Sequence, residues 1–396
     1  MDLNYDVLVV GAGPAGSITA KLAAANKAKV LIIEKRAEVG SPIRCGEGLD
    51  KNGVAKMGIK PDKKWIANEV KGAHVIAPNG AKIELTEEMA GNEVGYVIKR
   101  DIFDKEMAKQ AIEAGADIMI KTSAIDVIEK NGFIKGVRAK HMGEKFDINA
   151  KIVVGADGFE SQVGRWAKID TTVKPKDVYT CLQYDMVGVD VDPNFSDFYL
   201  GSCAPGGYAW VFPKGEHRAN VGLGIQVGMV KEKGAPKKYL DMFVKKYDNL
   251  SKGTPIAHIA GAVSVCAPIE RTVGNGILLV GDAARQIDPM TGGGIVNSGI
   301  AGQIAGKVAA EAIGANDFSA EFLSKYEKGW RAELESKLYR DYVAKEKLTK
   351  LSDDTINKII ETIAEYDIKK ISVLELLKAV KAKYPELVKE FEEFLV

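Results

Sequence analysis

TyrAspValLeuValValGlyAlaGlyProAlaGly, Tyr5 to Gly16, is an apolar strand followed by a GxGxxG turn and the start of a helix. Gly11 permits the tight turn out of the strand, and Gly13 lets the backbone approach a pyrophosphate. Gly16, next to Ala15, lets the helix pack closely on the sheet. The free amides and positive end of that helix then face phosphates. Glu34 closes ValLeuIleIleGlu eighteen positions after Gly16, where a carboxylate can accept hydrogen bonds from a ribose. Glycines alone could mark a surface loop, but strand, turn, helix and acid in register predict a dinucleotide cofactor, with NAD and FAD both open.

The remaining composition narrows the function classes. The chain has 396 residues, enough for two or three domains around a large core. Its 55 Lys plus Arg against 54 Asp plus Glu give no net field to recruit nucleic acid. Cys45, Cys181, Cys203 and Cys266 are scattered and form no CxxC pair, which argues against a metal centre or a disulfide framework. His74, His141, His217 and His258 are isolated, so no metal is expected. The first strand starts within a few residues of Met1 and no apolar run reaches membrane-spanning length, so a cytoplasmic protein is expected.

Pieces with nucleotide-binding character recur along the chain. After a turn-rich loop at Ser41 to Asp50, Gly95 to Lys99 reads as a strand, with Arg100 next and Asp101 placed to cap a helix. LysIleValValGlyAlaAspGly, Lys151 to Gly158, is another buried strand and turn. From about Val178 to Ala267 the period becomes two, which predicts an inserted antiparallel sheet. GlyIleLeuLeuValGlyAspAlaAla, Gly276 to Ala284, then returns to the first domain, and a glycine turn leads into a helix from about Gly294. Beyond Asp317 the chain is charged, amphipathic and helical, with interruptions near Ser352 and Ser372.

GlyAlaGlyProAlaGly, GlyAlaAspGly at Gly155 to Gly158 and GlyAspAla at Gly281 to Ala283 together resemble the glutathione-reductase-type FAD fold. That fold is shared by aromatic hydroxylases, flavin halogenases and geranylgeranyl reductases. The resemblance implies FAD, with Gly281 and Asp282 at the ribityl chain; Asp157 either contacts the cofactor or only forms a turn. AspProMetThrGlyGlyGlyIleValAsn, Asp288 to Asn297, places Gly293, Gly294 and Ile295 at a helix start where amides and dipole can stabilise negative charge on a reduced flavin. Ala301, Gly302, Ala305 and Gly306 beyond it read as packing residues.

SerProIleArgCysGlyGluGlyLeu, Ser41 to Leu49, and ProGlyGlyTyrAlaTrpValPhePro, Pro205 to Pro213, resemble the geranylgeranyl reductase family in particular. By that resemblance Cys45, Gly46 and Gly48 lie against the flavin, with Arg100 and Ala124 as further cofactor contacts. Strand alternation sets Tyr208, Trp210 and Phe212 on one face, where they line an apolar tunnel or simply pack a sheet. Cys45, Glu47 and Tyr208 are candidates in catalysis, although no acid is assigned. Lys337, among cations and aromatics at Lys337 to Lys347, is a candidate for a lipid headgroup, and Val373 for the pocket wall.

The resemblance implies an α/β protein, α+β overall. Residues 1–177 and 268–317 form a discontinuous Rossmann-like FAD domain, with some strands contributed to the substrate domain at 178–267 and a helical layer at 318–396. The expected activity is reduction of C=C bonds in geranylgeranyl chains of archaeal ether phospholipids by hydride from reduced flavin, with peripheral membrane contact. ValGlyLeuGlyIleGlnValGly has the wrong spacing for a second nucleotide loop, so ferredoxin or a reduced nicotinamide remains open as electron donor. A flavin monooxygenase or halogenase of the same fold, and a cofactor-free prenyl-lipid carrier, are the alternatives.

Overall fold

ValLeuValVal, ValLeuIleIle and IleValVal are unbroken apolar runs, the pattern of strands covered on both faces of a parallel sheet. The computed structural model, which describes residues 3–86, 95–230, 232–365 and 382–384, places them side by side. Leu3–Val10 lies between Glu144–Gly155 and Val30–Ile33, parallel to both. Asp117–Met119 extends this sheet on one side, and Ile277–Leu279 followed by Val273–Gly274 on the other. Thr122–Lys130 and Phe133–His141 add an antiparallel flap to the first half of Glu144–Gly155. Strands far apart in sequence thus bring the Gly11, Gly155 and Gly281 turns to one sheet end.

The turn after the first strand needs glycine for two separate reasons. Gly11 has φ +110°, and a Cβ there would stand 2.3 Å from the Ala156 carbonyl oxygen. At Gly16 a Cβ would fall 1.9 Å from the Gly11 oxygen, so only glycine lets Pro14–Ala25 start this close to the strand. That helix packs on Ile295–Ala315, where Cβ atoms on Gly302 and Gly306 would come within 2.9 Å of the Ala15 oxygen and 2.5 Å of the Thr19 oxygen. The small residues deep in the later helix are packing devices. The other expected helix runs Arg100–Glu113; Lys99 is its N-cap and Asp101 sits in its first turn, so Asp101 complements the dipole rather than capping.

The second sheet runs Thr254–Ser264, Val178–Val187, Arg218–Gln226, Tyr208–Pro213, Phe195–Tyr199, Gly72–Ile76 and Lys82–Thr86. Five strands come from the period-two region and two from the first segment. Phe195–Tyr199 joins Gly72–Ile76 in parallel, so the sheet is not antiparallel throughout. ValGlyLeuGly lies inside Arg218–Gln226 as ordinary ladder. A small third sheet, Gly48–Asp50, Gly95–Ile98 and Ile66–Glu69, anchors the end of the Ser41–Leu49 loop.

The C-terminal region divides between the two large sheets. Ala320–Trp330 passes through a π-helical turn, Arg331–Glu335, into Ser336–Leu348, and buries Tyr326, Trp330, Leu334 and Leu338 in the core of the first domain. Ser352 interrupts the helical run and accepts from the Thr355 amide, and Asp353–Glu365 then packs Ile356, Ile360 and Ile363 against Ala77 and Ile83 of the second sheet. The expected break at Ser372 and the wall residue Val373 lie outside the described residues.

Candidate functional site

Three strand ends of the first sheet converge on the opening turn. Glu34 follows Val30–Ile33 directly, and its carboxylate accepts from the Ala12 amide at 3.0 Å and the Arg36 amide at 2.9 Å. It therefore faces the glycine turn at its predicted station. Thr122 donates its amide to the Glu34 carbonyl at 2.8 Å, which brings Ala124, two residues on, beside the same strand end. A Cβ on Gly13 would meet nothing within 4 Å, leaving the approach to the turn open for a phosphate.

Asp157 and Asp282 behave as residues made for a ligand. The Val163 amide donates to one Asp157 oxygen at 3.0 Å, while the other is buried without a partner among the described residues. The carboxylate of Asp282 has no hydrogen bond among the described residues, and burial raises its pKa despite the opposing charges of Arg100 and Arg285. Burial also raises Asp157. Such groups are costly unless something donates to them. The hydroxyls of a ribityl chain are suitable donors, and with the open Gly13 turn these residues fit FAD.

Arg285, in left-handed conformation at φ +59°, braces this region from within. Its guanidinium donates to the carbonyls of Phe159 at 2.8 Å and Thr171 at 2.5 Å, which joins the Asp157 turn to the Gly281–Ala284 turn. The sequence reading missed this residue, although it directly follows the GlyAspAlaAla motif. Position Gly294 is the N-cap of Ile295–Ala315, and a Cβ there would stand 2.9 Å from Asp282 Oδ1. The loop before it is closed by Asp288, and the Gly293 amide donates to Thr291 Oγ1 at 3.1 Å. The first-turn amides from Ile295 have no intrahelical acceptor, so the helix start remains available to an anionic ring.

The Ser41–Leu49 loop lies across the second sheet. Cβ atoms at Gly46 or Gly48 would come 3.2 Å from Cε2 of Phe212, so the two glycines let backbone rest on that ring. Cys45 Sγ accepts from the Glu47 amide at 3.2 Å. Arg100 forms a two-pronged ion pair with Asp104, both bonds 2.9 Å, and burial is outweighed by the Asp104 charge and the hydrogen bonds to it, which raise it further. Its charge still reaches Asp282, which places the cation beside the candidate flavin groove.

Glu47 is fully buried and held by three donors. Its oxygens accept from the Arg100 amide at 2.9 Å, Lys214 Nζ at 2.6 Å and Asn220 Nδ2 at 2.8 Å. A carboxylate so engaged holds the loop, a structural role beside its candidacy in catalysis.

Tyr208, Trp210 and Phe212 do share one face, joined by Phe198. Trp210 and Phe212 are buried under the loop, and the indole N–H donates to Gln183 Oε1 at 2.8 Å. Of the three, only Tyr208 keeps substantial accessible surface. Strand registers set Gly261 opposite Cys181, Cys181 opposite Gly224 and Gly224 opposite Tyr208. Directly opposed residues point to one face, so a row of small residues crosses three strands and ends at the Tyr208 ring. Burial pushes the Cys181 thiol up to about 12 and raises the Tyr208 phenol, yet both retain accessible surface. They lie along one row on the sheet face that the Cys45 loop crosses, with Arg44 over Gly261 at its far end.

Lys337 sits between two carboxylates. Its ammonium pairs with Asp288 and with Asp341, the latter at 2.6 Å, and these carboxylates outweigh burial in raising it. It latches the helical layer to the loop before Ile295 while about half of its side chain stays exposed, 53%.

Comparison with known proteins places this geometry. A model described as FAD dependent oxidoreductase matches residues 6–199, and one described as geranylgeranyl reductase catalytic domain matches residues 177–263. The chain is 49% identical to a digeranylgeranylglycerophospholipid reductase of Picrophilus torridus over 100% of both chains. It is 49% identical to the enzyme of that name from Thermoplasma acidophilum, covering 99% of this chain and 100% of that one. A crystal structure of a geranylgeranyl bacteriochlorophyll reductase-like protein from Thermoplasma acidophilum superposes with a TM-score of 0.94 at 49% identity, covering 100% of both. A flavin-dependent brominase superposes at 0.71 with 18% identity, covering 99% of this chain and 93% of that one, which is a likeness of fold alone.

Proposed function

The chain belongs to the digeranylgeranylglycerophospholipid reductase family, and on that premise we propose that it hydrogenates C=C bonds in the geranylgeranyl chains of archaeal ether phospholipids. The cofactor is FAD. The observation that carries the substrate reading is the row of Gly261, Cys181 and Gly224 ending on Tyr208, on the sheet face that meets the Cys45 loop. A row of small residues leaves room for a methyl-branched polyprenyl chain along the sheet.

The residues assigned to the cofactor would hold FAD, which in its reduced form would supply the hydride for one alkene carbon, with a proton from solvent going to the other. The protein supports this by alignment and exclusion of water. We assign Gly11, Gly13, Ala15, Gly16 and Glu34 to the adenosine and phosphates, with Ala124 beside them, and Asp157, Gly281 and Asp282 to the ribityl region. Cys45, Gly46, Gly48 and Arg100 bound the ring on one side. Gly293 shapes the opposite loop, while Gly294 and Ile295 begin the helix whose positive end stabilises negative charge at the ring. Tyr208 holds its hydroxyl proton at the end of the row, donating it to the Thr291 carbonyl at 2.5 Å, and Trp210 and Phe212 support the floor.

The electron donor in this reading is an external small reductant, ferredoxin or a reduced nicotinamide, since ValGlyLeuGly is used as sheet. The lipid substrate calls for peripheral membrane contact. Exposed Val227 and Met229, on a turn beside Lys176, support such contact, and no helix among the described residues is long and apolar enough to cross a membrane. The test is anaerobic incubation of dithionite-reduced holoenzyme with digeranylgeranylglycerophospholipid, followed by mass spectrometry. Products heavier by whole hydrogen pairs support the reading; unchanged lipid, or oxygen-dependent products only, would reject it.

A further inference from the structure

The loop assigned to the flavin is held from two sides, by Ile98 and Arg100 of its own segment and by side chains of the second sheet. Gln183 Nε2 donates to the Cys45 carbonyl at 3.3 Å, and Gln183 Oε1 is fixed by the Trp210 indole N–H at 2.8 Å. Asn220 Nδ2 donates to the Gly46 carbonyl at 3.0 Å and to Glu47 Oε2 at 2.8 Å. Lys214 pairs with the same Glu47 oxygen at 2.6 Å and is backed by Asp185 at 3.4 Å. Asp185 in turn takes Arg218 in two bonds of 2.8 and 2.7 Å.

Each of these groups comes from a different place on one sheet. Gln183 is on Val178–Val187, Trp210 on Tyr208–Pro213, Asn220 on Arg218–Gln226, and Lys214 follows Pro213. Gln183 and Asn220 are 2% and 0% exposed. Polar side chains this deep are tolerated when their partners are fixed. Three consecutive loop residues, Cys45, Gly46 and Glu47, each accept from at least one side chain of this sheet, while Arg100 and the Ile98 amide hold Cys45 and Glu47 from the first segment. Glu47 has φ +72°, a strained backbone for a non-glycine residue that persists when surroundings over-determine it. Because the Glu47 amide donates to Cys45 Sγ, fixing Glu47 also fixes that sulfur.

We propose that Gln183, Asn220 and Lys214 are positioning residues that set the Cys45–Glu47 backbone, and with it the Cys45 sulfur, against the flavin ring. The sheet that receives the substrate thereby also shapes the cofactor side of the active site. The assignment concerns the loop and the ring, and does not depend on which lipid is reduced.

Gln183→Met keeps side-chain length and removes both hydrogen bonds; Asn220→Leu removes the second anchor. The measurement is the alkylation rate of Cys45 by iodoacetamide in FAD-free protein, mapped by mass spectrometry with Cys266 as internal reference, together with the visible spectrum of FAD-loaded protein. In either variant, Cys45 is expected to react about tenfold faster than in the parent while Cys266 is unchanged, as loss of one or two hydrogen bonds implies. The bound-flavin spectrum is expected to shift. A Cys45 rate and a flavin spectrum equal to the parent's would overturn the proposal. Equal acceleration of Cys45 and Cys266 would also overturn it, by showing only general loosening of the fold.

Discussion

The hydroxyl of Tyr208 donates to the carbonyl of Thr291 at 2.5 Å. Tyr208 ends the small-residue row, and Thr291 lies in the loop leading to the helix at Ile295. On the proposed assignment, one hydrogen bond couples the wall for the lipid chain to the loop before the flavin-facing helix. Tyr208→Phe preserves ring contacts with Phe198 and Trp210 at 5.6 and 5.8 Å and removes that bond alone. Lipid turnover by the reduced holoenzyme is expected to fall about tenfold with FAD affinity nearly unchanged. Turnover equal to the parent's in a mass-spectrometric assay would show that the bond is dispensable.

Asp282→Asn should separate stability from cofactor binding. Burial raises the Asp282 carboxyl in the folded chain, so the folded state holds this proton more tightly than the unfolded one. Its contribution is favourable at low pH and is lost as pH rises through the folded value. The FAD-free variant should therefore melt higher than the parent at neutral pH, with the gap closing on acidification. FAD affinity should fall about tenfold from the lost acceptor. Melting curves of the two FAD-free proteins against pH, with FAD titrations, check both parts; a gap that widens in acid contradicts the assignment.

Filling the small-residue row should harm lipid and spare flavin. A Cβ at Gly224 already approaches Cys181 Sγ at 3.3 Å, so the branched side chain of Gly224→Val projects into the space beside it. Dithionite reduction and the FAD spectrum are expected to stay unchanged, while lipid turnover falls at least about tenfold through loss of apolar contact. Full turnover of a geranylgeranyl lipid by this variant would move the chain site elsewhere.

Lys214→Met removes the cation from beside a carboxylate with no exposure. Leaving one buried charge without its partner costs about 3–5 kcal/mol. Urea denaturation should show a loss of that order, and the double variant Glu47→Gln/Lys214→Met should recover most of it. No recovery in the double variant would mean that Lys214 acts mainly through Asp185.

Lys337→Gln distinguishes a latch from a headgroup contact. Its partners Asp288 and Asp341 link the helical layer to the loop before Ile295. Turnover of a phosphate-free geranylgeranyl lipid is expected to fall as much as that of the phospholipid. A selective rise in KM for the phospholipid would favour the headgroup assignment.

The sequence by itself determined the cofactor half of this protein, and tertiary structure decided the rest. Gly16 is fixed by a contact within its own turn and Gly11 by its φ of +110°, with distant Ala156 adding a second reason, and Glu34 stands at the end of its own strand, so spacing was sufficient to find them. Asp282 is likewise placed by the turn that contains it. The loop anchors were illegible, because Gln183 and Asn220 look like polar interruptions of strands until the chain brings Cys45 and Gly46 over them. Glu47 and Lys337 carry partners that spacing did not show, Lys214 and Asp288 respectively. The small-residue row depends on register between strands distant in sequence, Gly261 to Cys181 to Gly224 to Tyr208. Backbone turns are local and are written in neighbouring residues; the partners of a buried polar side chain, and the space left by a row of small ones, exist only once separate strands have paired.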